Sequence, residues 1–281
     1  MTSTQPDVRT VTANGVALNV AIAGTGPAVL LLHGFPHTWT LWSRVLPHLA
    51  ASRTVIAPDL RGLGSSERTE SGYDAATTAA DAVALLDALG ITESDVVGID
   101  LGTPAATLLA LTAPNRVRRL VVMEALVGTL PGAEAFLRDG APWWFGFHAV
   151  PGLAEHVLTG HEAGYLDFFL DSTTRGRGVS DAFRAEVHRS YRGTDSLRAA
   201  FEYYRAFPAS AAQIADAAPR RLTMPVMAVG AAPVGDATFR QLRPLADDIV
   251  GHVIPDCGHI IPQDRPDELV ALLQEFLACT A

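Results

Sequence analysis

Residues 95–113 read DVVGIDLGTPAATLLALTA, and this stretch decides the fold. The run DVVGI is apolar and β-branched without alternation, as a strand buried on both faces requires. Gly98-Ile99-Asp100-Leu101-Gly102 then places a glycine two positions before and two after a carboxylate. That spacing permits a turn so tight that the central residue sits strained and exposed above a sheet. From Thr103 onward TPAATLLALTA reads as a helix, whose N-terminal N–H groups and dipole favour a nearby carboxylate. The pentapeptide alone is weak, because G-x-D-x-G occurs by chance and also fits a plain turn with Asp100 as N-cap.

The context on both sides strengthens it. VALNVAI (16–22), AVLLLH (28–33), RTVIAPD (53–59) and RLVVME (119–124) read as further strands. Helical patterns fall at 38–50, 75–89 and 103–113. Buried strands alternating with helices predict an α/β fold, a mostly parallel eight-stranded sheet with helices on both faces. The rhythm stops between about 129 and 220. It resumes with LTMPVMAVG (222–230), a helix near 237–245, IVGHVIP (249–255) and a closing helix near 266–278. The expected organisation is a core of residues 1–128 and 221–281 interrupted by a helical cap, 129–220. Of the 20 Phe, Trp and Tyr residues, 14 fall in that insertion, including WWFGF (143–147). A lid that keeps water from an apolar ligand would be built this way, and a small helical unit would also need aromatics for its own core.

Composition narrows the function. A net charge of -9 argues against nucleic acid or an anionic membrane as partner. All 21 cations are arginine, which excludes a Schiff-base lysine and a P-loop lysine. Two cysteines, Cys257 and Cys279, are too few for a disulfide scaffold or a cysteine-built zinc site. No apolar run is long enough to span a bilayer, and MTSTQPDVRTVTANG lacks the pattern of a signal peptide. A cytoplasmic enzyme or ligand-binding protein is expected.

Two motifs flank the Asp100 turn. His33-Gly34-Phe35-Pro36 follows the strand AVLLL, and such a turn can aim the Phe35 N–H at the same space as the Leu101 N–H, a two-donor oxyanion hole. Gly258-His259 lies in the loop after IVGHVIP, where a base would approach the Asp100 turn. His33 reads as structural within its turn, with a place beside Pro36 at the substrate pocket. The other histidines, His37, His48, His148, His156, His161, His188 and His252, read as surface or packing residues.

Together HGFPHTW, DLRGLGSS (59–66), the Asp100 turn and the Gly258-His259 loop resemble the α/β-hydrolase superfamily over nearly the whole chain. With aspartate at the nucleophile position, the chain resembles epoxide hydrolases, haloalkane dehalogenases and fluoroacetate dehalogenases. The segment 143–169 resembles the lid of bacterial epoxide hydrolase-like proteins. The resemblance implies Asp100 as nucleophile, His259 as base and a cap tyrosine as acid. In the dehalogenases the residue after the nucleophile is Trp or Arg, and fluoroacetate dehalogenases carry a second Arg three positions further on. Here Leu101 and Pro104 stand there, which counts against a halide leaving group. An epoxide instead leaves as a tethered alkoxide and needs a proton donor such as a phenol. FEYYRAF (201–207) resembles the lid helix that carries the substrate-facing tyrosine, and Tyr204 matches that position best. Trp143 and Trp144 match a lid pair that contacts the leaving atom, so Trp143, Trp144 and Tyr203 are expected as donors or aromatic walls, with helix packing as their other reading.

The third triad member is open at this level. Glu124 ends RLVVME, where some haloalkane dehalogenases carry their acid. Asp236 follows LTMPVMAVG, the commoner position, and also fits the N-cap of a helix; Glu124 is preferred. Asp59 and Asp256 read as loop and turn residues. The expected activity is opening of an apolar, aromatic-bearing epoxide through an Asp100 ester, with no metal or organic cofactor. A lysine-free, Ala/Arg-rich chain suggests a high-GC genome and a role in secondary metabolism. Rival readings are a dehalogenase on the same nucleophile and a non-catalytic binder of apolar ligands. The expected partner is an apolar small molecule, with a homodimer left open.

Overall fold

The computed structural model describes residues 4–278. Its strands are β1 (Asp7–Ala13), β2 (Val16–Ala23), β3 (Ala28–Leu32), β4 (Thr54–Pro58), β5 (Ser94–Ile99), β6 (Val117–Met123), β7 (Val226–Gly230) and β8 (Ile249–Val253). They form one sheet in the order β1-β2-β4-β3-β5-β6-β7-β8. From β3 to β8 every pairing is parallel, whereas β2 runs antiparallel to both β1 and β4. Every residue of β3, β5 and β7 is buried, which is why these strands read as continuous apolar runs. β1 is absent from the strands read in the sequence. Its residues are almost all exposed, so DVRTVTA carries no hydrophobic signal and is held by its ladder to β2.

The helices of the first half are α1 (Leu46–Ala50), α2 (Ala75–Ala88) and α3 (Gly102–Thr112). α3 is buried nearly all round because it lies between the sheet, α2 and later helices, so it shows little amphipathic pattern. The single helix expected over 38–50 is two short pieces. A 3₁₀ turn (Trp39–Trp42), capped by the Thr38 hydroxyl, precedes α1, whose Pro47 has no N–H to continue a helical ladder from the turn. Between β6 and β7 come α4 (Trp143–Ala149), α5 (Leu153–Leu158), α6 (Glu162–Ser172), α7 (Asp181–Ser190), α8 (Thr194–Arg205) and α9 (Phe207–Ala217). α10 (Ala237–Leu242), α11 (Ile261–Asp264) and α12 (Pro266–Ala278) follow β7 and β8.

Because β3, β5, β6 and β7 are parallel neighbours, their C-terminal ends open on one edge of the sheet, where sites in such folds are built. The segments that follow β3, β5 and β6 carry Phe35, Asp100 and Glu124, and the loop after β8 carries His259. Among the described residues no helix is long and apolar enough to cross a membrane. Cys257 is buried, and Cys279 lies outside the described residues.

Candidate active site

Asp100 takes φ +52°, a left-handed conformation that a residue with a side chain adopts only under constraint. The constraint comes from both sides. Its N–H donates to the Met123 carbonyl (3.2 Å) at the end of β6, and its carbonyl accepts from the Thr103 N–H (3.0 Å) in the first turn of α3. A side chain at Gly102 would put a Cβ 2.5 Å from the Leu32 carbonyl oxygen, so glycine is what lets α3 start this close to β3. Gly34 is equally confined, since a Cβ there would lie 2.1 Å from Asp100 Oδ1. That close approach lets the Phe35 N–H donate to Asp100 Oδ1 at 2.9 Å. The Phe35–Pro36 peptide that follows is cis. No hydrogen bond joins the Leu101 N–H to Asp100 among the described residues, so one of the two expected donors is engaged here.

His259 bridges the two carboxylates. Its Nε2 lies 3.1 Å from Asp100 Oδ2 and its Nδ1 lies 3.2 Å from Glu124 Oε2. Glu124 also has a positive φ, +46°, and its other oxygen accepts from the Ala231 N–H just after β7. The strand whose end was the rival origin of the acid therefore supplies a backbone donor that orients Glu124. Asp236 lies five residues further on, at the start of α10, and ion-pairs with Arg240 at 2.7 Å. No bond joins it to His259 among the described residues.

Burial works against charge on His259, but its hydrogen bonds to Asp100 and Glu124, and then their charges, push its pKa up to about 10. Burial works equally against an ionised Asp100, yet the His259 hydrogen bond and charge, with the Phe35 N–H, hold its pKa below the ordinary carboxylate value. The resting pair is a carboxylate against an imidazolium. Remove the charge on Asp100, as esterification would, and the largest support for the imidazolium disappears. The same histidine then becomes a base. A carboxylate and a histidine coupled in this way can serve a two-step displacement.

Aromatic side chains of the helices between β6 and β7 close over this edge. The Phe35 ring meets His148 of α4, Phe169 of α6, Tyr191 just after α7, and Phe201 and Tyr204 of α8, with centroids 5.4–6.0 Å apart. The Tyr204 hydroxyl has no hydrogen-bond partner among the described residues. Burial first, then the Asp100 charge, raises its pKa well above that of an ordinary phenol.

Several residues expected as substrate contacts have other partners in the structure. Trp143 is 54% exposed and packs against Trp144, Phe147 and Phe168. Trp144 is half-buried against Phe145 and Phe169. Tyr203 is core: its hydroxyl donates to the Arg61 carbonyl (3.0 Å) and its ring packs on Tyr73. His33 is fully buried with both nitrogens occupied, Nδ1 by the Gly34 carbonyl and Nε2 by the Leu60 N–H. Both of its nitrogens serve the turn. Asp59 acts as a loop organiser, accepting from Trp39 N, Ser65 N and Asn19 Nδ2.

Two histidines counted as surface or packing residues lie under the helices, close to the site. His148 is fully buried, stacks on Phe201 and shares a hydrogen bond with the Tyr165 hydroxyl. His37 is fully buried two residues beyond Phe35, and neither of its ring nitrogens has a partner among the described residues. Its place inside HGFPHTW was the signal that could have marked it.

A family model described as alpha/beta hydrolase fold matches residues 27–266. The soluble epoxide hydrolase of Corynebacterium sp. (strain C12) is 30% identical, with 94% of this chain and 95% of that protein aligned. A crystal structure of wild-type Cfl2 from Burkholderia cenocepacia shares 33% identity at a TM-score of 0.89, over 97% of this chain and 96% of that one. A fluoroacetate dehalogenase of Burkholderia sp. is 37% identical, over 42% of this chain and 40% of that protein.

Proposed function

Because the chain belongs to the alpha/beta hydrolase fold family, we propose that it is an epoxide hydrolase working through an ester on Asp100. The observation that carries this reading is the Asp100 carboxylate, held between the Phe35 N–H and His259 Nε2 with the unpartnered Tyr204 phenol nearby. Asp100 Oδ2 attacks a ring carbon, and the carbon–oxygen bond of the epoxide breaks. Tyr204 gives its proton to the departing oxygen, since an alkoxide is a stronger base than a phenolate, even one raised by burial. With the Asp100 charge gone, His259 loses its hold on the proton, and that proton restores Tyr204. Neutral His259 then takes a proton from water, which attacks the ester carbon. Oδ1 gathers negative charge against the Phe35 N–H, and Leu101 N–H is the second donor available at that stage. The ester breaks, the diol leaves, and Asp100 and His259 return to carboxylate and imidazolium. The aromatic ring of side chains around Phe35 supports an apolar, aromatic-bearing substrate.

The match to a fluoroacetate dehalogenase keeps one rival, in which the same carboxylate displaces halide. A halide needs donors or cations around it, and the side chains of Leu101 and Pro104 supply neither. A panel of aryl epoxides and haloalkanoates separates the two. Diol release from the epoxides without halide release is the expected result; halide as the only product would overturn it.

The acid can be tested independently. Glu124→Gln is expected to lower turnover by roughly 10²–10⁴-fold, as loss of a catalytic histidine's carboxylate partner does. Asp236→Asn should leave turnover close to wild type, because its carboxylate serves Arg240. If the Asp236 variant were instead the crippled one, Glu124 would lose its assignment.

A further inference from the structure

The mechanism above leaves His37, close to the catalytic pair, without work. Its backbone is fully engaged: the N–H donates to the Gly34 carbonyl (2.9 Å), and the carbonyl accepts from the Tyr191 hydroxyl (2.6 Å). Phe183 of α7 packs beside the ring, with centroids 6.2 Å apart. Yet the ring is 0% exposed, and neither Nδ1 nor Nε2 has a hydrogen-bond partner among the described residues. A neutral imidazole carries one N–H and one bare nitrogen, and burying both unpaired costs free energy that a phenylalanine or leucine would not. Packing therefore does not account for a histidine here. Burial brings its pKa down to about 3, with Asp100 opposing and His259 and His33 assisting, so the ring stays neutral while His259 changes state. Asp100 and His259 are also its foremost charged neighbours. These are the two groups between which water must arrive in the second half of the reaction.

Resting on the ester reading above, we propose that His37 binds the hydrolytic water. His259 takes one proton of that water, while the bare nitrogen of His37 accepts a hydrogen bond from the other hydrogen. This fixes the oxygen lone pair toward the Asp100 carbonyl carbon. The new carbon–oxygen bond forms there, the bond to the alkyl oxygen breaks, and the product alcohol leaves with a proton. His37 neither gains nor loses one. Its work falls wholly in hydrolysis, because the alkylation step uses no water.

The test separates the two half-reactions by rapid quench and intact-protein mass, using an epoxide turned over by the wild type. His37→Phe keeps the ring and removes the acceptor, and His37→Leu serves if that variant fails to fold. The expected result is unchanged alkylation and kcat/KM, with hydrolysis and kcat slower by roughly 10–100-fold, the worth of one hydrogen bond at a reacting centre. Ester should then accumulate at steady state. His37→Gln, which retains an acceptor, should recover most of the lost rate. A merely structural role would slow both steps together, and that result, or no change in either, would overturn the proposal. If no ester formed even on His259→Gln, the ester reading would fall and this inference with it.

Discussion

His259→Gln is expected to convert the protein into a trap that stops at the ester. Alkylation requires an ionised Asp100 and a proton for the leaving oxygen, and neither depends on His259 as a base. Glutamine can still donate a hydrogen bond to Oδ2. Asp100 loses the His259 charge that opposes its burial but keeps the Phe35 N–H, so alkylation is followed at alkaline pH, where the carboxylate is favoured. Hydrolysis has no such substitute. Intact-protein mass spectrometry should show an adduct of the full substrate mass that persists for hours, while steady-state turnover falls by roughly 10⁴-fold or more. Asp100→Asn should give no adduct, since an amide oxygen is a poor nucleophile. An adduct on the asparagine variant, or wild-type turnover without His259, would remove Asp100 or His259 from its role.

How much of this was legible in the sequence depends on how each residue is constrained. The core was readable because β3, β5 and β7 are buried at every position, so their apolar runs had no competing explanation. The Asp100 turn was readable because its glycines at fixed spacing are demanded by atoms that would lie 2.5–2.6 Å from an added Cβ. β1 was invisible for the opposite reason: an exposed edge strand is specified by its neighbour, not by its own side chains. Pattern preferred Glu124 but left Asp236 open, because both follow strands and both suit a turn. In the structure Glu124 lies 3.2 Å from His259 Nδ1 and accepts from the Ala231 N–H, contacts between residues far apart in the chain that no local pattern carries.

The helix after residue 142 shows a different limit. Adjacent residues of a helix point about 100° apart, so the pair Trp143-Trp144 cannot tell which member faces inward. In the structure Trp143 faces out, and the buried position one turn after Trp144 is His148. A histidine there and another at 37 look like packing residues from composition alone. In the structure both rings are buried, and His148 Nδ1 and both nitrogens of His37 have no hydrogen-bond partner among the described residues.

The fate of a single oxygen atom tests the reaction class most directly. If Asp100 attacks, the new hydroxyl of the diol comes from its own Oδ2; if activated water attacks the epoxide, it comes from solvent. Both routes give the same diol and the same dependence on His259, so steady-state rates cannot separate them. In oxygen-18 water with enzyme in excess, the first-turnover diol is expected to carry no label. Water then enters from the His259 side and replaces the Oδ2 that left with the product. Oδ1 is pinned throughout by the Phe35 N–H at 2.9 Å, so the carboxylate does not rotate and the labelled oxygen stands in the attacking position. With substrate in excess, label should therefore rise abruptly to near completeness from the second turnover, and a slow, partial rise would mean that the Phe35 contact does not hold. Label in the first-turnover diol would make Asp100 a general base and not a nucleophile.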